Sequence, residues 1–207
     1  MLNIKTKIMK VPKINSLEML LNVSFCILLL MSSCAQSGDS NKITSESNSK
    51  AESIVEKPKI DIQTAIMSDK LEIVKQHIAA GADINMTDQM SGSTPLISAA
   101  TFGKISIVKA LIDAKADLNI KNNDGAAALH VAAFFCQVEI VQLLIDAKAD
   151  KTTKNNFGAT PRESVMGPFI QVKPFYEMLQ EQLGPLGLKI DLSEIEKKRP
   201  VIAMMLQ

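Results

Sequence analysis

Few residues in this 207-residue chain have types and spacings that could do chemistry, and most of those arrangements argue against it. There are three cysteines, Cys26, Cys34 and Cys136, and two histidines, His77 and His130. No His-x-x-x-His and no paired-cysteine spacing occurs, so no metal centre is predicted. Gly184-Pro185-Leu186-Gly187 lacks the Gly-Lys-Ser/Thr ending of a phosphate-cradling loop, and no cofactor is implied. Asp113 and Asp146 recur 33 residues apart, but so does everything around them, which reads as a repeated surface position rather than a catalytic pair. Cys136 has no basic neighbour close in sequence to lower its pKa and reads as a small buried packing residue. His77 falls in a helix, where it packs or faces solvent. The chain is therefore not expected to be an enzyme.

Cys34 stands in a different setting. Lys5, Lys7, Lys10 and Lys13 precede an apolar run from Met19 to Met31, which is shorter than the roughly 20 residues a spanning helix needs. The run ends in Leu30-Met31-Ser32-Ser33-Cys34. This order resembles a bacterial lipoprotein signal, with Met31 where Leu is usual. The resemblance implies cleavage before Cys34, thioether lipidation of that thiol and a lipid anchor in the membrane. The alternatives are an uncleaved anchor or ordinary cleavage beside a spectator cysteine. By analogy with Gram-negative sorting, Ala35, being other than Asp, points to the outer membrane, facing the periplasm. Residues 35–59 are rich in Ser, Asn, Lys and Glu and cannot bury enough surface to order themselves. They read as a tether with a root-mean-square reach of roughly 25–30 Å. Removing 1–33 takes four of the 23 basic and one of the 22 acidic residues, leaving 19 against 21, a net of −2. No basic stripe remains, which disfavours nucleic acid as a partner.

The elements that carry the remaining residues repeat. Ile73-Val74, Ile107-Val108 and Ile140-Val141 fall at intervals of 34 and 33, as do Ala82-Asp83, Ala116-Asp117 and Ala149-Asp150. Thr94-Pro95 and Thr160-Pro161 lie 66 apart. A fixed period of this size marks a stacked solenoid. Each unit contains a turn (Asn123-Asp124-Gly125, Asn156-Phe157-Gly158), a short helix with paired alanines (Ala99-Ala100, Ala132-Ala133) and a second helix with one apolar face. Ile107, Val108, Leu111 and Ile112 form that face in one unit, and Ile140, Val141, Leu144 and Ile145 in the next. Burying each aliphatic side chain gains about 1.5–3 kcal/mol, and only a stacked neighbour can provide the burial.

The run Thr94-Pro95-Leu96, Ala99-Ala100, Gly103, Ile107-Val108, Ala116-Asp117 resembles the ankyrin repeat position by position. The resemblance implies an all-α repeat solenoid: helix-turn-helix units with β-hairpin tips, three full repeats and a partial fourth, with a helical C-terminal cap. The Thr-Pro-Leu-His tetrad is incomplete in every unit, reading Thr94-Pro95-Leu96-Ile97, Ala127-Ala128-Leu129-His130 and Thr160-Pro161-Arg162-Glu163. Lys115 and Lys148 replace the Gly seen at Gly81, where a left-handed residue is favoured. Both departures predict a moderately stable array. The domains are then a signal peptide over 1–33, the lipidated cysteine and tether over 34–59, repeats over 60–166, and a helical extension or cap over 167–207.

The same resemblance implies where a partner binds: on the concave surface made by the hairpin tips and the exposed face of the first helices. Carried over, the tip residues are Met90, Ser93, Asn123, Asp124, Asn156 and Phe157. The helix-end residues are Met67, Ser68, Thr101, Phe102, Phe134 and Phe135. Clustered aromatics are what interface hot spots look like, although Phe102 and Phe135 could instead pad against each other. The expected function is a membrane-tethered protein–protein interaction module of the bacterial cell envelope, holding an unknown protein or peptide. The alternative is a protective inhibitor or immunity-type factor that blocks one enzyme or toxin. In the tail, Pro174 to Leu183 predicts one helix and Pro200 the start of another, acting as a cap or as a docking arm.

Overall fold

The computed structural model describes residues 58–207. Cys26, Cys34, the expected export signal and nearly all of the expected tether lie outside the described residues. Six short helices come first: α1 (Ile62–Met67), α2 (Leu71–Ala79), α3 (Pro95–Thr101), α4 (Ile105–Asp113), α5 (Ala128–Phe134) and α6 (Val138–Asp146). A one-turn 3₁₀ helix (Glu163–Val165), α7 (Phe169–Leu183), a second 3₁₀ turn (Gly184–Leu186) and α8 (Leu192–Met205) follow.

The first helix of each unit starts where a side chain can take up its orphan N–H groups. Asp61 Oδ1 accepts from Thr64 N at 2.9 Å, and Thr94 Oγ1 from Ile97 N at 3.3 Å, with Pro95 in the first helical position. Ala127 has no acceptor, and the bond is reversed there. His130 Nδ1, one turn on, accepts from Ala127 N at 3.3 Å. Thr160 and Glu163 close the reciprocal box their spacing predicts. Each of the first six helices is also followed by a left-handed residue. After the first helices these are Asp69 (φ 55°), Gly103 and Cys136 (φ 52°); after the second, Gly81, Lys115 (φ 67°) and Lys148 (φ 70°).

The helices pack in two rows. α1, α3, α5 and the Glu163–Val165 turn form one; α2, α4, α6 and α8 form the other. Between them lie Ile66, Val74, Leu96, Ile107, Val108, Leu111, Leu129, Ile140, Val141, Leu144 and the alanine pairs, all at most 1 % exposed. No strand occurs among the described residues. Where hairpins were expected, a tight turn is closed by backbone bonds from Asp88 N to Ser93 O, Asn122 N to Ala126 O and Asn155 N to Ala159 O, each 3.0 Å.

The chain after Val165 departs from the reading of its prolines. α7 begins at Phe169 and carries Pro174 inside it; α8 begins at Leu192 and carries Pro200 inside it. Asp191 caps α8, accepting from Glu194 N at 3.1 Å. α8 packs on α6 as α6 packs on α4, so it supplies the outer helix of the fourth pair. Residues 166–191, with α7 among them, are inserted between the two halves of that pair.

Candidate partner-binding surface

The three turn tips share one design. Asp88, Asn122 and Asn155 open them and fold a side-chain oxygen back on the turn. Asn122 Oδ1 accepts from Asp124 N and Ala126 N, and Asn155 Oδ1 from Phe157 N and Ala159 N. Asp88 holds the longer tip by accepting from Met90 N, Ser91 N, Ser91 Oγ and Ser93 N at 2.6–2.9 Å. Partial burial pushes its carboxyl pKa up, but the Ser91 hydroxyl and the three N–H groups together outweigh it and leave it below the usual carboxylate value.

Neighbouring tips are stapled together. Asn123 N bonds Ser91 O, and Asn123 Nδ2 donates to Met90 O at 3.0 Å. One repeat on, Asn156 N bonds Asp124 O, and Asn156 Nδ2 donates to Asn123 O at 2.9 Å. A glycine above each asparagine makes room: a Cβ on Gly92 would stand 2.5 Å from Asn123 Oδ1, and one on Gly125 would collide with Asn156 Oδ1. Asn123 and Asn156, expected to meet a partner, therefore spend their amides within the array. Ser93, also expected at the surface, is buried with its hydroxyl 2.8 Å from Ser91 Oγ, to which it donates because the Ser91 proton is committed to Asp88. Met90 (65 % exposed), Asn123, Asp124, Asn156 and Phe157 (51 % exposed) all remain exposed, and Met90 and Phe157 are the large apolar side chains among them.

At the opposite ends of the first helices, the expected open surface is covered by the chain itself. Tyr176 of α7 is fully buried and stacks on Phe134 with ring centroids 4.4 Å apart. Its hydroxyl donates to Phe134 O at 2.5 Å. Phe135 meets Phe134 and Tyr176 edge-on, and Phe175 adds a further edge contact to Phe134. Phe102 and Phe135 line a groove of about 560 Å³ whose far wall is Gly187, Leu188 and Lys189. Gly187 passes close enough that a Cβ there would lie 3.6 Å from Met67 O. Segment 169–191 thus lies over the row Met67, Phe102, Phe135. Ser68 stays exposed, and the Thr101 hydroxyl is tied to Ile97 O at 3.0 Å.

Tyr176 and Arg199, which the sequence reading did not single out, organise this cover. Arg199 is 4 % exposed and donates from Nη2 to Gly167 O at 2.9 Å and from Nη1 to Tyr176 Oη at 3.4 Å. Tyr176 is the chain's only tyrosine and Arg199 one of two arginines, which was the available signal. Burial pushes the Cys136 thiol up to about 11 in spite of Arg199 and Lys198, so it is a packing group and a poor nucleophile. His77 is buried with Nε2 2.7 Å from Ile60 O. Burial pushes the His130 pKa down, and its Nε2 closes no hydrogen bond although the backbone carbonyls of Thr153 and Ala159 lie near enough to favour a proton.

The family model for ankyrin repeats (3 copies) matches residues 62–155, the segment built from these helix pairs and stapled turns. Residues 62–155 have the ankyrin-repeat fold. The chain is 37 % identical over 59 residues to the Neurogenic locus Notch protein of Drosophila melanogaster, covering 28 % of this chain and 2 % of that one. It is 34 % identical over 71 residues to an ankyrin repeat-containing protein of Schizosaccharomyces pombe, covering 34 % of each. Among solved structures it is similar to the ankyrin repeat domain of Bcl-3, described as a unique member of the IkappaB protein family. There the identity is 31 %, the TM-score 0.49, and 50 % of this chain and 45 % of that chain are covered. The chain spans about a third or less of these two curated relatives. Ankyrin repeats commonly serve as protein–protein interaction modules.

Proposed function

We propose that this protein is a membrane-tethered interaction module of the bacterial cell envelope whose partner docks across the turn tips. The observation that carries the docking site is the contrast between the two ends of the first helices. At one end Tyr176 fills the surface that a partner would use. At the other, Met90 and Phe157 hold large apolar side chains in solvent on turns that staples have already made rigid. A preorganised backbone bearing exposed apolar anchors loses little entropy on binding. The anchor rests on the Leu30-Met31-Ser32-Ser33-Cys34 run and the polar tether after it. No described helix is long and apolar enough to cross a membrane. A lipid on Cys34, with Ala35 after it, supports a place at the outer membrane facing the periplasm.

Two experiments test this. Capture from envelope extract is expected to be lost in the double variant Met90→Ser, Phe157→Ser and kept in Phe102→Ser. The reverse pattern moves the site to the groove beneath Lys189. Inhibition of an enzyme in the captured pair would favour the inhibitor reading over a scaffold. For the tether, Cys34→Ala is expected to release the protein from the membrane fraction, and retention there would refute lipidation.

A further inference from the structure

The outer side of the last helix pair carries a pocket that the repeats do not need. It has a volume of about 330 Å³, at the lower end of the range for small-molecule sites. Val165, Met166, Phe169, Pro200 and Ala203 give it apolar walls. Arg199 lines it as well.

Arg199 is an anomaly there. Its side chain is almost completely buried, yet both of its hydrogen-bond partners among the described residues are neutral, a carbonyl and a phenol. None of the ion pairs among the described residues includes it. A guanidinium has five N–H donors in a planar fork, and a buried cation without a counter-charge is costly. The ligand that relieves this cost carries a negative charge into the pocket and leaves an apolar part against the walls. Glu196, also lining the pocket, limits how much negative charge can enter. A doubly charged phosphate meets more repulsion from it than a singly charged carboxylate does.

From these observations we infer that the pocket between the Val165–Phe169 segment and α8 binds a carboxylate with an apolar substituent, paired with the Arg199 guanidinium. Two sources share this chemistry: a free aliphatic acid and the C-terminal carboxylate of an apolar peptide. The site is separate from the turn tips and does not depend on the reading of them.

The test uses the ¹⁵N-labelled full chain and follows the Arg199 side-chain N–H resonances by NMR. The chain has only two arginines, Arg162 and Arg199, so assignment is direct. Hexanoate is expected to move the Arg199 signal saturably, and hexanol to bind at least ~10-fold more weakly, because a hydrogen bond to a charged group is worth about 1.5–3 kcal/mol. Acetyl-Leu-Leu as free acid and as amide separates the sources: tighter binding of the free-acid peptide than of hexanoate assigns the site to peptide ends, and the opposite order to aliphatic acids. Arg199→Gln, followed through the backbone amide of Ala203 because the guanidinium signal is gone, is expected to lose binding. Ala203→Phe, which leaves Arg199 in place and fills the pocket, is expected to lose it too. Equal binding of hexanol, tighter binding of inorganic phosphate than of hexanoate, no saturable shift with either carboxylate, or hexanoate binding that survives Ala203→Phe would each overturn the inference.

Discussion

Tyr176 lies flat on Phe134, 4.4 Å between ring centroids, and donates its hydroxyl to the carbonyl of the same residue. One side chain thus fixes α7 to the end of the third repeat by stacking and by a hydrogen bond. Of the residues of α7, it is the one that is buried. Tyr176→Phe keeps the stack and removes the hydroxyl, at an expected cost of about 0.5–1.5 kcal/mol. Tyr176→Ala leaves a cavity and is expected to cost about 3–5 kcal/mol. Hydrogen exchange should rise over 169–191 in the alanine variant while α1 to α4 keep their protection. Uniform loss of protection along the array would contradict a local role.

The staples can be measured with two glycines. Gly125 (φ 69°) and Gly158 (φ 76°) have nearly the same backbone conformation, and no atom lies within 4 Å of a Cβ placed on Gly158. Gly158→Ala should therefore cost only backbone strain, about 1–2 kcal/mol. Gly125→Ala adds the collision with Asn156 and should cost a further 1–3 kcal/mol, approximately that of a buried polar group stripped of its partner. Equal urea midpoints for the two variants would show that Asn156 moves aside freely.

Asp88 makes stability depend on acid. Its folded-state pKa lies below its unfolded value, so its contribution is complete above the unfolded value and is lost as pH falls through the folded one. The group is partly exposed, and solvent screening keeps the effect below about 1 kcal/mol. Asp88→Asn places there the residue that works at Asn122 and Asn155. It should be slightly destabilising at pH 7 and nearly neutral at pH 3. A penalty that does not change between these two pH values would exclude the carboxylate as its source.

Lys115 and Lys148 occupy left-handed positions that glycine fills at Gly81. Each lysine-to-glycine change should stabilise by about 0.5–1 kcal/mol, since relief of strain exceeds the added freedom of the unfolded chain. The two sites lie a repeat apart, and their effects should add within about 0.5 kcal/mol in urea titrations. The unmodified array is expected to melt well below the roughly 90 °C that marks hyperstable proteins.

The two rows of helices were legible because the 33–34-residue period carries cap, alanine pair and apolar face together. The closing segment was not, for reasons its prolines explain. In sequence, Pro174 and Pro200 suit helix starts, where a missing N–H costs nothing. Inside α7 and α8 they instead leave the carbonyls of Ile170 and Glu196 without a helical donor. Both of those residues are exposed, so water can serve them. α7 also falls outside the period, and nothing local announces that the helix completing the fourth pair comes only after it. On the candidate surface, Phe157 and Met90 could be read from the repeat register. The commitment of Asn123 and Asn156 could not, because each reaches a carbonyl on the preceding repeat.

The detour between Val165 and Leu192 also sets an order of events for a chain that emerges N-terminus first. α6 appears before α8, so the greasy flank of Ile140 and Leu144 has no lid while residues 166–191 follow. A product that stops prematurely in that interval carries an adhesive end. Quality-control proteases and chaperones would meet it there, at the seam where the stack is left unfinished.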